Sequence, residues 1–170
     1  MKQTLKHLSF VFILALLSSS LQAQELVKVI KIIDGDTLWL LDYKGQRGKI
    51  KLIGIDAPES KANYKAERDA EKTGQDINTI TAMGKRATNY VSSLVKPGDN
   101  VRIEFDVRQR DSYGRLLCYV YLLNGKILNE EILKAGYANV KTISPNLKYK
   151  DRFLKAYKEA RKSKMGLWEE

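Results

Sequence analysis

The chain of 170 residues has one cysteine, one histidine and three prolines. A single cysteine, Cys118, cannot close an internal disulfide or build a cysteine-rich zinc site. The only histidine, His7, lies in an N-terminal segment that reads as a removable export signal, so the rest of the chain carries no imidazole. That excludes Ser-His-Asp and Cys-His catalysis and histidine-ligated metals. Acid–base or metal chemistry is left to carboxylates, Lys, Arg and Tyr. Internal repeats and low-complexity linkers are also missing.

What is present begins with that signal. Lys2 and Lys6 form a positive start, and Leu8 to Leu17 is nearly all apolar. The apolar run is ten residues, against the ~20 needed to span a bilayer. Ser18-Ser19-Ser20 and then Leu21-Gln22-Ala23 complete a signal peptide over residues 1–23, with cleavage expected after Ala23. An uncleaved membrane anchor is the alternative. The formal charge is +10; loss of Lys2 and Lys6 with the signal takes it to +8. Residues 24–170 are the size of one domain.

Three runs rich in Val, Ile and Leu come first: Leu26–Ile33, Thr37–Leu41 and Gly48–Ile55. Asp34-Gly35-Asp36 and Tyr43-Lys44-Gly45-Gln46 punctuate them, so they read as strands of a meander. Ser60 to Asn78 is charged and poor in large aliphatics, and is expected to be a mobile surface loop with at most transient helix. Ile80, Met83, Ala87, Tyr90, Val91 and Leu94 recur at helical spacing up to Pro97-Gly98, with Gly84 a weak point inside. Val101–Val107 and Leu116–Leu123 are two further strands, the second holding Cys118 as a small core residue. A short helix over Asn129–Ala135 ends at Gly136, and a last helix runs from about Tyr149 to Lys164. This order predicts a mostly β, α+β fold: a five-stranded OB-type Greek-key barrel with about three α-helices. Periodicity alone leaves other α+β barrels open.

The densest polar signal sits at strand ends. Asp34-Gly35-Asp36-Thr37 joins the first two strands and Asp56-Ala57-Pro58-Glu59 follows the third. If these strands are neighbours, Asp36 and Asp56 converge with Glu59 a turn away. Crowded carboxylates repel one another unless a cation joins them, and an oxygen-only ligand set favours Ca²⁺ or Mg²⁺. Each motif has a plainer reading as turn chemistry or a cap. Lys51 and Tyr113-Gly114-Arg115 add positive charge. Cations and a metal facing carboxylates form a receptor for a phosphodiester, able to stabilise a pentavalent transition state while a carboxylate positions water.

The ordered set Asp-Gly-Asp-Thr, Asp-x-Pro-Glu, Tyr-Gly-Arg and terminal Gly166-Leu167-Trp168 resembles the thermonuclease, or staphylococcal nuclease-like, family, from about Leu26 to Trp168. The resemblance implies an OB-type barrel and Ca²⁺-dependent cleavage of DNA and RNA, leaving a 3′-phosphate and a 5′-hydroxyl. It implies that Asp36 and Asp56 hold the ion with the backbone carbonyl of Ala57. Glu59 is then the general base for water, Arg115 binds the scissile phosphate, and Tyr113 donates a hydroxyl to a neighbouring phosphate. Lys51 takes the place of a second phosphate-binding cation, usually Arg in this family; Lys cannot make the two-pronged guanidinium contact. Ser112 stands where some members have Lys. Ala138 to Ile143 lacks the aromatics that stack on the base, which bears on affinity and base preference. The Ser60–Asn78 segment is longer than in compact members, and reads either as a lid or substrate guide or as an idle loop.

A basic chain suits a polyanionic partner, since phosphate contacts release counterions. The cations on the last helix read first as a solvated face. Trp39 is expected in core packing and Trp168 in tail docking, with stacking on nucleic-acid bases as the alternative for both. The leading expectation is a secreted or periplasmic, monomeric, Ca²⁺-dependent nuclease acting on DNA and RNA, with single-stranded or frayed substrate preferred. The rival expectation is an OB-fold module that binds nucleic acid or a protein partner without cutting it.

Overall fold

The computed structural model describes residues 25–42 and 44–169; the export signal expected over residues 1–23 lies outside the described residues. Alternation drives the first half of the fold. In β1 (Glu25–Asp34) Val27 and Val29 turn inward, in β2 (Thr37–Leu41) Leu38 and Leu40, and in β3 (Arg47–Leu52) Ile50 and Leu52. These strands pair antiparallel in sequence. After β4 (Gly54–Asp56) and two helices, β5 (Asn100–Arg110) and β6 (Leu116–Tyr121) add Val101, Ile103, Cys118 and Val120 to the same interior. The barrel closes in the order β1-β2-β3-β6-β5, with β3 and β6 parallel, which makes it a mixed five-stranded barrel as expected. Burial pushes the Cys118 thiol up to about 12, which suits an inert core residue.

The third apolar run does not remain one strand. It leaves the barrel after Leu52, and β4 pairs instead with β7 (Asn139–Lys141). Gly54 makes the turn at φ +81°, and the Phe153 ring stands 2.7 Å from where a Cβ would lie. No other residue meets both demands. This departure carries Asp56 out of the barrel wall to the β4–β7 pair, where it stays part-buried.

The largest correction concerns Ser60–Asn78, expected to be a mobile loop. It contains α1 (Tyr64–Thr73), capped by the Asn63 side chain on the Ala66 amide and ended by Gly74 in the left-handed region. Only Ala66 of this helix is buried, so it has no aliphatic stripe for a periodicity argument to find. The segment then enters α2 (Ile77–Leu94) through the Asp76 cap. With α3 (Leu128–Lys134) and α4 (Lys150–Lys162) there are four α-helices among the described residues, against about three expected, and a 3₁₀ turn over Gly166–Trp168. Gly84 proves necessary in α2: a Cβ there would lie 2.1 Å from the Glu59 carbonyl oxygen, so its absence lets the Glu59 segment rest on the helix.

Trp39 is not in the core. It lies between inward-facing Leu38 and Leu40 in the middle of β2, half-buried, and lines the same surface depression as Arg47 and Arg115. Trp168 docks edge-on against Tyr157 of α4, as expected of the tail.

Buried Glu130 of α3 holds α4 through a two-pronged ion pair with Arg152, at 2.7 and 2.6 Å. Burial works against its ionisation, but the Arg152 and Lys134 hydrogen bonds and charges outweigh that and hold the carboxyl below its usual range. Its stabilising contribution is therefore complete above the unfolded carboxylate pKa near ~4.3 and is lost as pH falls through the lower folded value. Arg152 is half exposed, which limits the pair to about 1 kcal/mol. Glu130→Gln is expected to lower the Tm at pH 7 by roughly 3 °C. The gap from wild type should close as thermal melts are taken to pH 3; a constant gap would contradict the ion pair.

Candidate active site

Pairing of Thr37 with Lys51 across β2 and β3 sets the site's first contact. Asp36, fully buried before Thr37, accepts from the Thr37 hydroxyl at 2.9 Å and the Ala57 amide at 2.7 Å. It also pairs closely with the Lys51 ammonium. One carboxylate thus ties the β1–β2 turn to the end of β4. Asp34 ties the same turn to the following segment, accepting from the Ser60 hydroxyl at 2.6 Å and the Ser60 amide at 3.1 Å. Glu59 is therefore held from behind by Gly84 and from its C-terminal side by Asp34.

Asp56 is the hub. Its Oδ1 lies 3.5 Å from the Lys51 ammonium and 3.6 Å from that of Lys65, and its Oδ2 lies 3.2 Å from Lys141. Burial opposes its charge, yet the three lysines outweigh burial and hold it below the usual carboxylate range. Lys65, on the first turn of α1, donates to the Ala57 carbonyl at 2.8 Å. It also reaches Glu59 at 3.2 Å and Asp69 at 3.4 Å. Burial disfavours its ammonium, but Asp56, Asp36, Glu59 and Asp69 together raise its pKa above the ordinary lysine value. The second Glu59 oxygen accepts from Asn63 at 2.8 Å.

Arg115 and Tyr113 stand apart from this cluster, on the loop before β6. Asp111 orients Arg115, accepting from its Nε at 2.6 Å and its amide at 2.9 Å, and the guanidinium lies 5.4 Å from the Tyr113 ring centre. Tyr113 is largely exposed. A groove of about 330 Å³ joins the two groups: Lys51, Lys141, Tyr113 and Arg115 all line it. The structure thus brings Asp36, Asp56, Ala57, Glu59 and Lys51 together, and sets Arg115 and Tyr113 across a groove from them.

Sequence reasoning missed Lys65, Lys141, Asp34 and Asp111 as parts of the site. Asp34 was visible as the other acid of Asp-Gly-Asp, and Lys65 and Asp69 have the four-residue spacing of a helical ion pair. Lys141 was noticed only where an aromatic was lacking. Nothing in the local sequence marks its approach to Asp56, which β4–β7 pairing creates.

The donor set fits a hard divalent cation in its chemistry. Carboxylate and carbonyl oxygens converge, and Asp56 Oδ1 is buried without a hydrogen-bond partner. Among the described residues, however, no three acidic groups form a ready-made metal cage. Positive charge between them comes from Lys51 and Lys65.

The profile of the family described as "Staphylococcal nuclease homologue" matches residues 49–170. The chain is 34% identical over 145 residues to a thermonuclease of Staphylococcus hyicus, covering 85% of this chain and 76% of that one. It is 34% identical over 139 residues to a thermonuclease of Staphylococcus intermedius, covering 82% and 73%. Endonuclease YncB of Bacillus subtilis is 34% identical over 140 residues, covering 81% of this chain and 59% of its own length.

Proposed function

Because the chain belongs to the staphylococcal nuclease homologue family, we propose that it is an exported, Ca²⁺-dependent phosphodiesterase that hydrolyses DNA and RNA to 3′-phosphate and 5′-hydroxyl ends. One observation carries this reading: Asp36, Asp56, Glu59 and the Ala57 carbonyl converge on shared positive charge beside a groove lined by Lys51 and Arg115.

Asp36, Asp56 and the Ala57 carbonyl would hold the ion, which supplies Lewis-acid charge to the phosphate when bound. Glu59 orients the attacking water and takes its proton. Asn63 holds one of its oxygens and the Lys65 ammonium stands 3.2 Å from the other, so Lys65 has to give way for that oxygen to meet the water. Arg115, fixed by Asp111, meets the phosphate oxygens and stabilises charge that builds as the bond to the leaving oxygen breaks. Lys51 contributes charge from beside Asp36 and Asp56. Tyr113 offers its exposed hydroxyl to an adjacent phosphate.

A second reading has its own observation. Carboxylates neutralised by Lys51 and Lys65 could serve only to hold a nucleic-acid-binding module together. Incubation of the purified protein with denatured DNA, with Ca²⁺ and then with excess chelator, separates the two. Cleavage that chelator stops supports the enzyme; binding without chelator-sensitive cleavage by the clean protein supports the module. Export predicts Gln24 as the first residue when the protein recovered outside the cytoplasm is sequenced from its N-terminus.

A further inference from the structure

A second and larger groove opens on the other side of Asp56. It has a volume of about 1090 Å³ and runs between α1, β7, α4 and the 3₁₀ turn. Lys65, Arg68, Lys72, Lys141, Arg161 and Lys164 line it, opposed by only two carboxylates, Asp56 and Asp69. The two acids are already paired with lysines at the catalytic end. The Lys72 and Lys164 ammonium groups make no ion pair or hydrogen bond among the described residues and are exposed. Uncompensated like charges facing one groove repel each other and favour a polyanion. Trp168 lines the same groove, its ring 5.0 Å from the Arg161 guanidinium, and Arg86 pins the tail by donating to the Gly166 carbonyl at 3.0 Å.

Both grooves share Lys141, and each reaches the Asp56 segment: the smaller at Gly54 and Ile55, the larger at Asp56 itself. A strand lying across the catalytic carboxylates from Arg115 would pass directly into the larger groove. We propose that the α1–α4 groove binds the single-stranded polynucleotide continuing from the scissile phosphate, its phosphates on Lys72 and Lys164 and its bases toward Trp168. Trp168 is half-buried with Arg161 over its ring, so the part of it that lines the groove offers unpaired bases an apolar contact beside the cations. The proposal rests on the nuclease reading for the identity of the strand. It also gives α1 a purpose: the helix supplies Arg68 and Lys72 as one bank of the groove.

The test compares two double variants of equal charge change. Lys72→Glu with Lys164→Glu alters the groove, while Lys28→Glu with Lys31→Glu alters exposed lysines of β1 that line neither groove. Fluorescence anisotropy with a 20-nucleotide single-stranded DNA, in chelator, reads binding apart from cleavage. Loss of two phosphate contacts should weaken binding roughly 20-fold near 0.1 M salt and reduce the log–log salt slope by about 1.4 relative to the β1 pair. Hydrolysis of a dinucleotide in Ca²⁺ should be unchanged in the groove pair. Equal losses in both variants, or an equal loss of affinity for polyglutamate and DNA, would overturn the groove. Failure of the wild type to cleave would sink the nuclease reading and leave the anisotropy comparison standing.

Discussion

Glu59→Gln is expected to lower kcat by roughly 10³, within the 10²–10⁴ range of a positioned general base. The amide keeps the shape of the side chain and can still meet Asn63, but it cannot accept the proton of the attacking water. The backbone around it is held by contacts the substitution leaves alone, namely the packing on Gly84 and the Asp34–Ser60 hydrogen bonds. Tm and single-stranded DNA affinity should therefore stay near wild type while turnover falls. Single-turnover kinetics on denatured DNA at saturating substrate give the chemical step directly. A loss below tenfold would show that Glu59 is not the base, and would move attention to the other carboxylates of the cluster.

The second large effect concerns the ion. Lys65 sets its ammonium against the Ala57 carbonyl and Asp56, two of the groups that would hold Ca²⁺, and against Glu59 beside them. Two cations cannot share those oxygens without repulsion. A unit charge about 4 Å from another is worth about 1 kcal/mol even at the dielectric of water, and a divalent ion doubles it. Lys65→Met removes the competing charge and keeps the aliphatic stem, so Ca²⁺ should bind about thirtyfold more tightly in a calorimetric titration. Lys65→Arg, which keeps the charge, should leave affinity near wild type. Because Lys65 also pairs with Asp69 four residues along α1, circular dichroism should accompany the titration to report the helix. Equal affinities for wild type and Lys65→Met would mean that the ammonium does not oppose the ion.

How much of this was legible differs from residue to residue. Leu38, Leu40, Ile50, Leu52, Val101 and Ile103 announce strands because a half-buried strand repeats every second residue, and their barrel followed. Helix α1 stayed hidden because it buries only Ala66 and is set by its Asn63 and Gly74 ends. Trp39 misled for a related reason: a large aromatic suggests a core, but its place between two inward-facing leucines puts it on the outer side. At the site, Asp36, Asp56, Glu59 and Arg115 were visible as short ordered motifs. Lys65 and Lys141 were not, since a lysine in a charged segment looks like any solvated lysine until the chain folds.

Composition and order determined the outline: no histidine beyond His7, paired acids at strand ends, a basic chain, and motifs in the sequence order of a known nuclease family. The tertiary structure decided how those charges meet. The turn at Gly54 sends β4 out of the barrel to β7, bringing Lys141 to Asp56, and α1 delivers Lys65 to Ala57, Asp56 and Glu59. Coulomb interaction depends on distance through space, and sequence separation gives no measure of it. Asp56 and Lys141 are 85 residues apart in the chain and 3.2 Å apart in the fold.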